Sequence, residues 1–108
     1  MRVQITERHC EVPQAVLTRT QAQIQALTKY EERASSADVV YTEEKHVGKV
    51  EVIMHVDGVE RVVAHGEGSN FRSALDHVIE RLRRMLREQR ERRLDHKAPP
   101  LSERLEAE

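Results

Sequence analysis

The feature that most constrains this chain is an apolar stripe near its C-terminal end. Between Ser69 and Arg93 the residues Phe71, Ala74, Leu75, Val78, Ile79, Leu82, Met85 and Leu86 recur at helical spacing. They cover about a third of a helix circumference, which predicts an amphipathic helix with one buried face. Ser69 or Asn70 can cap its start, because a short polar side chain accepts from the orphan N–H groups of the first turn. Such a stripe must be covered. The rest of the chain, 108 residues in all, is read for what covers it.

The remaining segments predict strands. Arg2 to Thr6 alternates polar and apolar. Ala37 to Lys45 is rich in β-branched and aromatic residues. Lys49 to Val56 alternates cleanly, with Val50, Val52, Met54 and Val56 on one face and Lys49, Glu51, Ile53 and His55 on the other. His46-Val47-Gly48 reads as a turn or irregular link. Asp57-Gly58 predicts a type I′ hairpin turn, which needs positive φ at both central residues. Val59 to His65 returns as the partner strand, and Gly66-Glu67-Gly68 closes the sheet region.

One further helix is predicted. Pro13 suits a first turn, and from Gln14 to about Arg33 the residues Leu17, Thr20, Ile24, Leu27 and Thr28 share a face, opposite Arg19, Lys29 and Arg33. Ser35-Ser36 ends the pattern. The order is β-α-β-β-β-α. It implies an α+β fold, a four-stranded, mainly antiparallel sheet with two helices packed on one face. Residues 1–94 form the domain, and residues 95–108, with Pro99-Pro100 and four acidic against two basic side chains, read as a flexible, acidic C-terminal tail.

Charge is unevenly placed. The chain is formally at −1, yet residues 69–93 hold eight basic and four acidic side chains, and residues 37–68 hold three and seven. Seven arginines fall within residues 81–93: Arg81, Arg83, Arg84, Arg87, Arg90, Arg92 and Arg93. At 100° per residue, Arg83, Arg87 and Arg90 lie opposite the apolar stripe, with Arg72 two turns earlier and Arg84 beside them. Two accounts stay open on these grounds. The cations complement the helix dipole, and Glu80–Arg84, Arg84–Glu88, Arg87–Glu91 and Glu88–Arg92 are spaced as i,i+4 pairs. Alternatively, a run of arginine without lysine suits phosphate, which the planar guanidinium grips with two donors. Lys29 and Arg33 make a smaller basic patch that extends this surface if the two helices lie side by side. The pI of about 6.6 argues against a general nucleic-acid binder.

Other chemistry finds little support. The six histidines, His9, His46, His55, His65, His77 and His96, show no metal-ligand spacing. Cys10, the single cysteine, lacks the flanks of a nucleophile, and a lone thiol suits a reducing compartment. No nucleotide-binding glycine motif or nucleophile elbow is present. The first residues lack the apolar run of a signal peptide, and no segment approaches the roughly 20 apolar residues of a membrane span. A soluble, cytoplasmic, non-enzymatic protein without cofactor or metal is expected.

Taken in order, ITERHCEVPQAV, LTKYEER, ADVVYTEEKH, KVEVIMHVDG and SNFRSALDHVIERLRRML resemble the ribosome hibernation-promoting factor family, also called ribosome-associated inhibitors, over about residues 1–93. The combination carries the resemblance: the IT-x-x-x-x-E-V opening, a Tyr closing the first helix, Glu44-Lys45, His55-x-Asp57-Gly58, and the aromatic-x-x-Ala-Leu-Asp start of the last helix. It implies the same β-α-β-β-β-α domain. It also implies a translation inhibitor that occupies the mRNA/tRNA channel of the small ribosomal subunit, contacts rRNA, and stores inactive ribosomes in starvation or stationary phase. Carried across, Arg33, Lys45, Arg81, Arg84, Arg87 and Arg90 fall where members place basic residues. With Lys29 and Arg83 from the charge pattern, these are the expected rRNA-binding residues. Gln23 and Ala26 stand where the family often has lysines, and Glu88 and Glu91 interrupt the last helix. The chain looks like a short form. The implied partners are the small subunit with its rRNA and other ribosome-dimerising proteins, with no membrane and no small-molecule substrate. A general double-stranded-RNA-binding module and a protein–protein adaptor are the competing readings.

Overall fold

The computed structural model describes residues 1–58 and 61–97, the last five as backbone. The elements are β1 (Arg2–Glu7), α1 (Gln14–Ala26), a 3-10 turn (Leu27–Lys29), β2 (Ala34–Glu44), β3 (Val47–Val56), β4 (Val62–Gly68) and α2 (Phe71–Lys97). The sheet order is β1-β2-β3-β4. β1 runs parallel to β2, as a strand–helix–strand connection requires, and the other two pairings are antiparallel. This is the expected α+β fold.

Both helices cover one face of the sheet. Alternation puts Ala37, Val39 and Tyr41 of β2, Val50, Val52, Met54 and Val56 of β3, and Val62 and Ala64 of β4 into a single core. α1 adds Val16, Thr20 and Ile24 to it. α2 adds Phe71, Ala74, Leu75, Val78, Ile79, Leu82 and Leu86, so the stripe is buried as expected, with Met85 at its margin. Large aliphatic side chains are few, and the aromatic pair Tyr41–Phe71 fills the centre edge to face, with centroids 5.6 Å apart. The Tyr41 hydroxyl meets Thr20 Oγ1 at 2.6 Å, and Thr20 donates to the Val16 carbonyl at 2.6 Å. Each hydroxyl hydrogen therefore has an acceptor in a site from which water is excluded.

Four boundaries differ from the sequence expectation, each for a local reason. α1 stops at Ala26 instead of near Arg33, because the buried Glu31 carboxylate turns the chain by accepting from the Arg33 N–H at 3.1 Å. β2 therefore begins at Ala34, three residues early, with a bulge between Ala34 and Ser36, and Ser35 Oγ donates to the His55 carbonyl. The two-residue turn with positive φ throughout is Lys45-His46, at 50° and 66°, between the paired Glu44 and Val47. At Asp57-Gly58 only Gly58 has positive φ, so these two residues do not form the type I′ turn, and Val59 and Glu60 lie outside the described residues.

Among the described residues β4 spans Val62–Gly68, three residues beyond the expected end at His65, so Gly66 and Gly68 lie inside the strand and do not merely close it. Gly66 is where α2 comes closest to the sheet. A Cβ there would stand 2.4 Å from the Ala74 carbonyl oxygen and 2.8 Å from the Val78 nitrogen. Asn70 caps α2, its Oδ1 accepting from the Ser73 N–H at 2.8 Å. α2 continues to Lys97, three residues into the stretch assigned to the tail, and residues 98–108 lie outside the described residues.

Candidate nucleic-acid interface

Because α2 turns its apolar stripe to the sheet, its charged residues must point elsewhere. Arg84, Arg87 and Arg90 are exposed. None of the four i,i+4 pairs is closed among the described residues. The ion pair that does form on this helix is Arg83–Glu80, at 3.0 Å and i,i+3 spacing. Arg84, Arg87 and Arg90 thus have no carboxylate within 4 Å among the described residues. Unpaired guanidinium groups keep all their donors available to an incoming anion.

The remaining expected residues divide by location. Lys29 and Arg83 come together: both line a cleft between the end of the first helical segment and α2, with Gln23, Tyr30 and Ile79. Lys29 also stands 5.2 Å from the centre of the Tyr30 ring, a cation–π distance. Arg83 is the less exposed partner here. It leans toward α1, whereas ideal spacing placed it directly opposite the stripe. Arg33 is held at the same end by Glu31, 3.6 Å away, beside the turn at Gly58.

Two expected residues are placed otherwise. Arg81 donates to the His65 carbonyl at 3.1 Å, and His77 Nδ1 donates to the Glu67 carbonyl one turn earlier. Both carbonyls belong to β4, an outer strand of the sheet, so these side chains occupy an edge that would otherwise be open to another strand. Arg81 thus has a structural partner as well as an exposed head. Lys45 sits at the tip of the β2–β3 hairpin. That hairpin lies against the start of α2, where a Cβ on Gly48 would be 3.0 Å from the Asn70 carbonyl carbon. Arg90 is twenty residues further along α2, about 30 Å at 1.5 Å per residue, so Lys45 is not part of the arginine cluster.

The fold adds one cation that spacing did not single out. Arg61 lines a hollow with Val62, Met85, Glu88, Gln89 and Arg92. It therefore joins the arginine-bearing half of α2, although it is distant in sequence. Only the β4–α2 packing reveals this, since Arg61 carries no local signal beyond its place near a turn.

Among the described residues no group of His, Cys, Asp and Glu is arranged to hold a metal. Burial pushes the Cys10 thiol up from its ordinary value, with the Glu7 carboxylate adding to the shift, so the nucleophilic thiolate is disfavoured. Lys49 is raised by its hydrogen bond to Glu44 at 3.0 Å across the hairpin. That keeps it charged and engaged. The open face of the sheet carries two His–carboxylate pairs, His65–Glu51 at 2.8 Å and His55–Asp38 at 3.4 Å. No described helix is long and apolar enough to cross a membrane.

The fold and this surface define a small β-α-β-β-β-α domain with one strongly basic helix. The chain belongs to the Sigma 54 modulation protein / S30EA ribosomal protein family, whose model matches residues 3–94. That family comprises ribosome hibernation and subunit interface proteins. The chain is 30% identical over 95 residues to a ribosome hibernation promoting factor of Azotobacter vinelandii, covering 88% of each chain. Its fold is similar to that of a ribosomal subunit interface protein from Coxiella burnetii, with a TM-score of 0.77 and 16% identity, over 83% of this chain and 98% of that one. The N-terminal domain of Protein Y from Thermus thermophilus is similar at a TM-score of 0.71 and 19% identity, covering 82% of this chain and 98% of the other.

Proposed function

We propose that this protein is a ribosome-binding translation inhibitor. It occupies the mRNA/tRNA channel of the small subunit in the cytoplasm through contacts to rRNA, and stores inactive ribosomes under stress. It acts by occlusion and performs no catalysis. The observation that carries this reading is the state of Arg84, Arg87 and Arg90: exposed, without a carboxylate within 4 Å among the described residues, on a helix whose opposite face is sealed against the sheet. Membership of a ribosome hibernation family supplies the class of polyanion.

The mechanism is electrostatic and steric. Each arginine–phosphate contact is charge-assisted and can be bidentate, which gives affinity and orientation without reading bases. RNA duplexes are recognised largely through shape and backbone, so binding depends on salt and shows little sequence preference. Arg83 and Lys29 widen the surface toward α1, Arg33 and Arg81 extend it at its margins, and Lys45 supplies a separate cation at the hairpin tip.

The test replaces Arg84, Arg87 and Arg90 together by Glu. All three are exposed, so the fold should hold, which circular dichroism checks. Sedimentation of the triple variant with small subunits should be lost. Undiminished co-sedimentation would overturn the assignment of this face. Equal binding of the unaltered protein to free duplex RNA would favour a general RNA-binding module, and absence of any RNA binding would favour a protein–protein adaptor.

A further inference from the structure

The two outer edges of the sheet are treated differently. At β4 the outward carbonyls of His65 and Glu67 are taken by Arg81 and His77 of α2. At β1 the Gln25 side chain donates to the Met1 carbonyl just before the strand, and among the described residues no side chain reaches the backbone of Arg2–Thr6. An uncovered strand edge is a row of N–H and C=O groups that fits another strand.

The surface beside this edge is unusual for the chain. A shallow groove runs between β1 and α1, with Ile5, Leu17 and Ala22 as its apolar floor. Gln14, Thr18, Gln21 and Gln25 form its wall. Their spacing of four, three and four puts them in one line along the helix. Residues 13–28 hold a single charged side chain, Arg19, and it faces the other way, 3.7 Å from Asp76 of α2. In a chain that is 34% charged, α1 thus presents an uncharged outer wall. Depletion of charge around an apolar centre marks a protein interface, whereas a nucleic-acid surface needs cations.

We infer that the β1 edge and the adjoining face of α1 pair with a second copy of this chain. The edge calls for a strand. The neutral wall can meet its own copy about a two-fold axis without opposing like charges, which an isologous contact demands. An axis perpendicular to the sheet keeps core face beside core face, so paired residue numbers must have an even sum. Centring the pair on Gln4 sets Val3 against Ile5 of the second copy and Arg2 against Thr6. The result is a continuous eight-stranded sheet. Because α2 packs over β3 and β4, the two arginine surfaces lie at its far ends and stay free. This pairing does not depend on the proposed ribosomal role, and its test contains no ribosome.

The experiment is sedimentation equilibrium of the full chain over a wide concentration range, alongside Thr18→Lys/Gln21→Lys and Thr18→Glu/Gln21→Glu variants. Both positions are exposed, so the fold is retained, and circular dichroism verifies this. The unaltered chain should pass from monomer to dimer. Each charged variant alone should dimerise at least about tenfold more weakly, because like charges then face each other across the axis. An equimolar mixture of the two should recover a heterodimer, read by native mass spectrometry. Arg87→Glu on α2 should leave dimerisation unchanged. A chain that stays monomeric at every concentration, a dimer indifferent to the Lys variant, or a mixture that forms no heterodimer would each overturn the proposal.

Discussion

α1 and α2 lie side by side on one face of one sheet and share a core, yet their outer surfaces have little in common. α1 carries one charged residue in thirteen, whereas the apolar stripe of α2 is flanked by eight basic residues before Arg93 is passed. Burial cannot account for the difference, since both helices seal an apolar face against the same sheet, α1 beside β1 and α2 over β3 and β4. What differs is what each helix presents on its outside. The outer side of α2 has cations without carboxylate partners. That of α1 has glutamines and threonines beside an open strand edge. The contrast teaches that the core fixes where each helix points, and the exposed residues are then free to serve separate contacts.

The comparison breaks first if the two helices are not equally part of the core. Ile24 and Leu82 are both fully buried, one from each helix. Ile24→Ala and Leu82→Ala should each lower stability by about 2–5 kcal/mol, the transfer term plus the cavity left behind. Denaturant unfolding measures both. A loss well under about 1 kcal/mol at Ile24 alone would mean that α1 is only loosely attached and that its outer face is poorly defined.

A smaller effect sharpens how α1 is tied to the sheet. Thr20→Val leaves the buried Tyr41 hydroxyl without its partner and should destabilise by about 1–3 kcal/mol. Tyr41→Phe removes the hydroxyl itself and should cost less. It should also change the response to alkali. Burial raises the Tyr41 pKa above its ordinary value, and its bond to Thr20 offsets only part of this. A group with its folded pKa raised contributes stability in full below the unfolded pKa, near about 10, and loses it as pH rises through the folded value. The melting temperature of the unaltered protein should therefore fall more steeply above that pH than that of Tyr41→Phe. Parallel curves would show that tyrosine ionisation is not coupled to folding here.

Most of this architecture is legible in the sequence because alternation and helical spacing are local. The stripe Phe71–Leu86 and the strand Val50–Val56 each declare their buried side without reference to the rest of the chain. What is not legible is set by tertiary contacts. Glu31 turns the chain by a side-chain hydrogen bond to a backbone two residues on, so the first helix ends well short of Arg33. Gly66 and Gly68 read as loop residues, yet they are strand residues that let α2 approach the sheet. Lys45-His46 adopts positive φ at both positions without a glycine, whereas Asp57-Gly58, the stronger local signal, does not form the tight turn. For the basic surface, spacing identifies Arg83, Arg87 and Arg90 as the outward series with Arg84 beside them, and of these the structure leaves Arg84, Arg87 and Arg90 exposed. It cannot foresee that Arg81 reaches the β4 edge, that Arg83 leans toward Lys29, or that Arg61 arrives from just before β4.

The smallest expected effect on stability makes the finest test of the contrast between the helices. Arg83 makes an exposed ion pair with Glu80 at 3.0 Å on α2 and lines the cleft with Lys29 where the two helices meet. If its role is to support the helix, Arg83→Gln should reduce stability by the few tenths of a kcal/mol that such pairs supply, and nothing else should change. If the arginine surface of α2 extends to this cleft, the same substitution should also weaken binding to rRNA. It should then lower the slope of log affinity against log salt by up to about one, the amount that a single neutralised phosphate contributes. Gln21→Ala on the neutral wall of α1 should leave that slope where it was. A fall in slope at Gln21 as large as at Arg83 would erase the distinction between the two helices, whereas a change confined to Arg83 places the boundary of the basic surface between them.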